Sequence, residues 1–185
     1  VAAHENDGNG SGAGHVRIYE NQSGTWTQIG ADIDGEAADD NSGCSVSLSA
    51  DGSIVAIGAD KNDGGGADAG HVRIYENQDG TWTQIGADID GEAAGDGSGY
   101  AISLSNNGSI VAIGATDNSG NGSNAGHVRV YENQGGTWTQ IGADIDGEAS
   151  GNQSGYSVSL NSTGSTVAIG AILNNDGGAI AGHVR

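Results

Sequence analysis

The sequence predicts an all-β protein made of tandem units, and three observations carry that prediction. The segment Ala-Gly-His-Val-Arg begins at Ala13, Ala69, Ala125 and Ala181, so the text repeats every 56 residues. β-Branched runs such as Ser53 to Ala59 recur between stretches of Gly, Asn, Asp and Ser, with the spacing of a strand meander. No window sustains a helical period, because Gly or a β-branched residue interrupts each candidate.

The period sets the organisation. Residues 1–12 match the end of a preceding unit, 13–68, 69–124 and 125–180 are three full units, and 181–185 start another. Within a unit, His15 to Glu20 is the first strand, with Val16 and Ile18 alternating against His15, Arg17 and Tyr19 as on a strand with one buried face. Thr25 to Ile29, holding Trp26 between threonines after a Ser-Gly turn, is the second. In the third, Cys44, Val46 and Leu48 form a packed face and Ser45, Ser47 and Ser49 a small polar one. The fourth, Ile54 to Ala59, is apolar throughout and is expected to be buried on both faces. Asp51-Gly52 and Asn107-Gly108 are tight-turn signals, with Thr163-Gly164 in the same place, so the third and fourth strands pair as a hairpin. The expected architecture is one four-stranded antiparallel blade per unit. It is β-propeller-like, either a partial propeller or an open superhelical array.

Composition narrows the function. Gly is 36 of 185 residues without an every-third-residue period, and Pro, Met and Phe are absent. Five basic against 24 acidic side chains leave a charge of -19, which repels phosphate backbones and anionic bilayers. Nucleic acid is excluded as a partner, and with no run of about twenty apolar residues, direct membrane insertion is too. No leader is evident in this stretch, although one would fit outside a text that opens in mid-unit. The single Cys44 stands where Tyr100 and Tyr156 stand in later units and reads as a small apolar filler.

The stretches Ser42 to Ala59, Ser98 to Ala115 and Ser154 to Ala171 share the pattern Ser-Gly-x-x-[Val/Ile]-Ser-Leu…Gly-Ser-x-Val-Ala-Ile-Gly-Ala. This text resembles the FG-GAP repeats of integrin alpha-chain propellers and of bacterial and algal surface proteins, with the Phe-Gly and Gly-Ala-Pro hallmarks degraded to Ser42-Gly43 and Gly58-Ala59-Asp60. The resemblance implies a propeller fold and an extracellular or cell-surface location. It also implies a calcium loop between the hallmarks, but here only a turn such as Asp51-Gly52 fills that place.

A different acidic cluster precedes the first hallmark. Asp32, Asp34, Glu36 and Asp40 recur as Asp88, Asp90, Glu92 and Asp96, then as Asp144, Asp146, Glu148 and Asn152, an oxygen at every position. Alternate oxygen side chains at this spacing suit calcium, while an Asp-Gly turn with exposed acids accounts for the same residues without an ion. Asp60 to Asp68 is read as a variable solvent loop, since its ends become Thr116 and Ile172 on one side and Asn124 and Ile180 on the other.

Copies argue against an active site, which needs unlike groups gathered in one place. The histidines His15, His71, His127 and His183 and the arginines Arg17, Arg73, Arg129 and Arg185 recur at fixed places and read as ladders between units, so no enzyme is expected. Trp26, Trp82 and Trp138 offer either stacking faces for glycans, as in a multivalent lectin-like propeller, or packing between sheets. Asn9, Asn21, Asn107, Asn121, Asn152 and Asn161 each open an Asn-x-Ser/Thr triplet and are candidate N-glycosylation sites. The expected role is a non-catalytic extracellular structural or adhesive repeat assembling with flanking repeats or other copies into a fibre or surface layer. A lectin and a calcium-dependent adhesion module are the alternatives.

Overall fold

The computed structural model describes residues 1–179 and 181–185, and Ile180, the last residue of the third variable loop, lies outside the described residues. Strands and turns account for all regular structure among the described residues, and no helix is present. Strands β1 (Ala2–Ala3), β2 (His15–Val16) and β5 (Ile33–Asp34) form one small sheet, and β3 (Tyr19–Gln22) pairs with β4 (Thr25–Gln28). A five-stranded sheet follows, made of β6 (Ser45–Leu48), β7 (Ile54–Ala59), β8 (His71–Gln78), β9 (Thr81–Gln84) and β10 (Ile89–Asp90). Its copy contains β11 (Ser98–Leu104), β12 (Ile110–Ala115), β13 (His127–Asn133), β14 (Trp138–Gln140) and β15 (Ile145–Asp146). The last sheet holds β16 (Ser154–Leu160), β17 (Val167–Ala171) and β18 (His183–Val184).

Every pairing between these strands is antiparallel, and the hairpins β6–β7, β11–β12 and β16–β17 join the third and fourth runs of each unit. Their turns are wider than two residues. The last ladder pair is Leu48↔Val55, the Ser49 N–H then donates to the Ile54 carbonyl, and Gly52 takes the left-handed φ of 72°. Asp51 holds this wider loop, its carboxylate accepting from the Ser49 hydroxyl and from the Ser53 N–H and hydroxyl.

Each five-stranded sheet draws on two sequence units. β7 pairs along its whole length with β8 of the next unit, from Ile54↔Glu76 to Ala59↔His71, and β8 in turn pairs with β9 and β10. The two-residue strands β5, β10 and β15 were not anticipated, because two residues carry no readable period. They seat Ile33, Ile89 and Ile145 beside Val16, Val72 and Val128.

The core lies between successive sheets. Ala56, Val72 and Ile74 of one sheet pack on Ile102, Leu104, Val111 and Ile113 of the next, and Val16, Ile18 and Ile33 pack likewise on Val55, Ile57 and Tyr75. Two expectations about strand faces change as a result. The first strand is buried on both sides, because Val72 and Ile74 face the following sheet while Arg73 and Tyr75 face the preceding one. The serines of the third strand are interface residues: the Ser47 hydroxyl accepts from the Leu104 N–H at 3.0 Å, and Ser103 accepts from Leu160 at 3.0 Å. The sheets approach so closely at Gly58 that a Cβ there would lie 2.1 Å from the Gly99 carbonyl oxygen. Cys44 sits at the same contact with its Sγ 3.4 Å from that oxygen, and burial pushes its thiol up to about 12, well away from reactive thiolate behaviour.

Candidate metal centre

The acidic stretch after each two-residue strand forms a turn tied down from within. Asp40 is buried and accepts from the Ala37 N–H at 2.8 Å, from the Glu36 N–H and from the Asn62 amide at 3.1 Å. Asp96 accepts in the same way from Ala93 and Asn118, and Asn152 is buried at the matching place in the third unit. With the turn fixed, the Glu36 side chain leaves its own sheet and reaches the first residues of β8.

There it meets His71. The imidazole is 1% exposed, and its Nδ1 has no hydrogen-bond partner. Two carboxylate oxygens face it beyond hydrogen-bond range, Glu36 Oε2 at 3.9 Å and Asp88 Oδ2 at 3.7 Å. Asp88 is oriented by the Gln84 amide, which donates to its other oxygen at 2.6 Å. Arg73 holds the second oxygen of Glu36 at 3.5 Å, and its Nη2 donates to the Asp34 backbone carbonyl at 2.7 Å. The copy repeats the arrangement: His127 Nδ1 lies 3.9 Å from Glu92 Oε2 and 3.9 Å from Asp144 Oδ2, and Arg129 binds Glu92 at 3.4 Å and the Asp90 carbonyl at 2.8 Å. Burial first, and the neighbouring arginine second, push the affinity of His71 and His127 for protons down, against a smaller pull from the two carboxylates. A neutral imidazole beside two carboxylates is a donor set for a divalent cation.

The ends of the chain differ in kind. Arg17 turns onto Asp32, with Nε and Nη2 donating at 2.7 to 2.9 Å, and Gln28 donates to the same carboxylate. These donors hold the Asp32 carboxyl down at about 2. His15, Asp32 and Asp34 cluster without a glutamate from another sheet. At the other end His183 Nδ1 lies 3.5 Å from Glu148, with Asp176 nearby, and both acids are exposed.

The four-oxygen sets read as calcium candidates are therefore split. Asp32 stays with His15 of its own unit, Glu36 crosses to His71 of the next, and Asp40 closes the turn; Asp88, Glu92 and Asp96 divide in the same way. A ladder reading of the histidines leaves out their acidic partners. The signal that would have found the cluster is the spacing: His71 follows Glu36 by 35 residues and precedes Asp88 by 17, and His127 stands in the same relation to Glu92 and Asp144.

Trp82 and Trp138 are half-buried between sheets, whereas Trp26 is 67% exposed. Beside Trp82 and Trp138 lie matching hollows of ≈ 330 and ≈ 290 Å³, lined by Asp32, Asp34 and Tyr75 in one and by Asp88, Asp90 and Tyr131 in the other. Of the glycosylation candidates, Asn9 and Asn121 donate their amides to the Gly35 and Gly147 carbonyls, each at 2.7 Å. Asn21, Asn107 and Asn161 accept within their own turns, and Asn152 is buried.

No family model and no curated protein matches the chain. The FG-GAP resemblance thus rests on the quoted residues alone. Solved structures do match. A protein provisionally assigned as a 6-phosphogluconolactonase from Bacteroides fragilis aligns over 72% of this chain and 33% of its own, at TM-score 0.50 and 19% identity. One of the same provisional assignment from Bacteroides uniformis aligns over 91% and 46%, at 0.56 and 14%. Hydrazine synthase from Kuenenia stuttgartiensis aligns over 95% and 44%, at 0.54 and 13%. The chain thus spans between a third and just under half of these structures, and the likeness is one of fold, a propeller-like all-β arrangement. These neighbours correct the expectation of a non-catalytic structural or adhesive repeat, together with its lectin and calcium-adhesion alternatives. Proteins named as enzymes carry the same fold, so repetition does not confine it to building. The clusters Glu36–His71–Asp88 and Glu92–His127–Asp144 each combine side chains from two units, so a unit is not a closed module.

Proposed function

We propose that the chain is a run of consecutive propeller blades, each assembled from the last two strands of one unit and the first three of the next, that binds divalent cations where blades meet. The observation that carries this reading is the buried, unpartnered Nδ1 of His71 and of His127, each set between a glutamate of one unit and an aspartate of the next. An unpaired buried nitrogen costs free energy, about 1–3 kcal/mol for a typical group, and coordination removes that cost. The charge of -19 favours cation capture at long range.

The test is calorimetric titration of chelator-treated protein with zinc, manganese, calcium and magnesium salts, with metal content measured after dialysis. Saturable binding of at least two ions, one for each of these clusters, and its loss in a His71→Ala/His127→Ala double variant, are expected. Absence of saturable binding by any of the four ions rejects the reading.

A further inference from the structure

We infer that the clusters Glu36–His71–Asp88 and Glu92–His127–Asp144 are first-row transition-metal staples that tie each sheet to the next. This rests on the cation-binding reading above and adds the class of ion and what its binding does.

The ion class follows from the donors. Calcium and magnesium are held by oxygen, with several ligands each, whereas imidazole nitrogen mixed with carboxylate suits zinc, cobalt, nickel and manganese. Each cluster offers one nitrogen and two oxygens, mutually within 4.8 Å. Ligands at about 2.1 Å from a tetrahedral zinc stand about 3.4 Å apart. The observed 3.7 and 3.9 Å from His71 Nδ1 exceed that by a few tenths of an ångström, within the reach of small rotations of Glu36 and Asp88, both of which keep some exposure. Three protein ligands leave a fourth position for solvent.

The staple follows from where the ligands originate. Glu36 comes from the turn after β5, in the sheet of β1 and β2, while His71 opens β8 and Asp88 precedes β10, both in the following sheet. In the second cluster Glu92 belongs to the sheet of β8 and β10, and His127 and Asp144 to that of β13 and β15. An ion bound to all three side chains joins two sheets that otherwise meet through apolar contacts, a few hydrogen bonds and the Arg73–Glu36 and Arg129–Glu92 ion pairs. Arg73 and Arg129 serve as positioning residues: each holds the free oxygen of the glutamate and, through Nη2, a backbone carbonyl of the preceding sheet. The cluster of His15, Asp32 and Asp34 is contained in the first sheet region, and Asp32 is already engaged by Arg17, so it forms no staple.

Thermal unfolding of the chelator-treated chain, followed by circular dichroism, tests the inference together with calorimetry on the same samples. Zinc, cobalt or nickel at a hundredfold excess over its Kd is expected to raise Tm by about 5–10 °C for each site filled, with no comparable effect of calcium or magnesium. Cobalt is expected to give visible d–d absorption that His71→Ala/His127→Ala abolishes. The Glu36→Gln/Glu92→Gln variant keeps the histidine and aspartate of each site, so it is expected to bind zinc more weakly and to lose the Tm gain. Zinc binding with an undiminished Tm gain in that variant, or equal affinity for calcium, overturns the staple while leaving cation binding intact. No binding of any ion removes the underlying reading as well.

Discussion

The indole N–H of Trp82 donates to the backbone carbonyl of Ile29 at 3.0 Å, across the boundary between two sheets and 53 residues along the chain. Trp138 does the same to Ile85 at 2.8 Å. The ring of Trp82 fits because Gly30 stands beside it: a Cβ on Gly30 would come within 2.8 Å of the ring, and its φ of 71° is one that glycine adopts without strain.

Removing the donor while keeping an aromatic ring isolates that bond. Trp82→Phe and Trp138→Phe are each expected to lower unfolding free energy by about 1–2 kcal/mol, since a half-buried carbonyl loses its partner. Trp26→Phe is expected to change nothing measurable, because that indole is exposed. Urea denaturation of the three variants makes the comparison.

The approach of one sheet to the next at Gly58 and Gly114 leaves no room for a methyl group. A Cβ would stand 2.1 Å from the Gly99 oxygen and 2.2 Å from the Gly155 oxygen, both backbone atoms. Gly58→Ala and Gly114→Ala are expected to cost at least about 1–3 kcal/mol through overpacking. At Gly170 the only close contact is the Ser157 hydroxyl, which is able to rotate away, so Gly170→Ala is expected to be milder. Differences in Tm rank the three.

Serine at the third strand serves as an acceptor between sheets. Ser47→Ala and Ser103→Ala leave the N–H groups of Leu104 and Leu160 without partners and are expected to cost about 1–3 kcal/mol each. Faster hydrogen exchange at those two amides, seen by NMR, is the specific signature.

Three donors hold the Asp51 carboxyl down to about 2, against 3.8 in an unstructured chain. A depressed carboxyl stabilises the fold above the unfolded value and loses that contribution as pH falls through the folded one. Asp51→Asn keeps the accepting oxygen, as Asn107 does naturally in the next unit. The variant is expected to be less stable than the parent near neutral pH and to converge with it near pH 2. Denaturation midpoints at pH 7, 4 and 2 decide this.

Local pattern made much of the fold legible. The copy length, the hairpin joining Ser45–Leu48 to Ile54–Ala59 and its copies, and the double-sided burial of the latter strand follow from alternation, turn residues and apolar content. What stayed hidden depends on partners distant in sequence. His15, Arg17 and Tyr19 look like a polar face, yet the matching His71, Arg73 and Tyr75 are buried because a second sheet covers them. Val46 and Leu48 are half exposed, whereas their counterparts Ile102 and Leu104 are buried, a difference of position along the array that near-identical text does not express. The candidate site was half legible. Asp32, Glu36 and their copies stood out as acids, but spacing along one strand grouped them with neighbours, and only tertiary structure sends Glu36 to His71.

Because β6 and β7 complete their sheet with β8, β9 and β10 of the following copy, the boundary between copies at Ala69 falls inside a sheet. Unequal recombination anywhere within the repeated text adds or deletes whole multiples of that length. Each such event preserves strand register, inter-sheet contacts and the pairing of each glutamate with its downstream histidine. A gene of this kind is thus free to lengthen or shorten without passing through a misfolded ancestor.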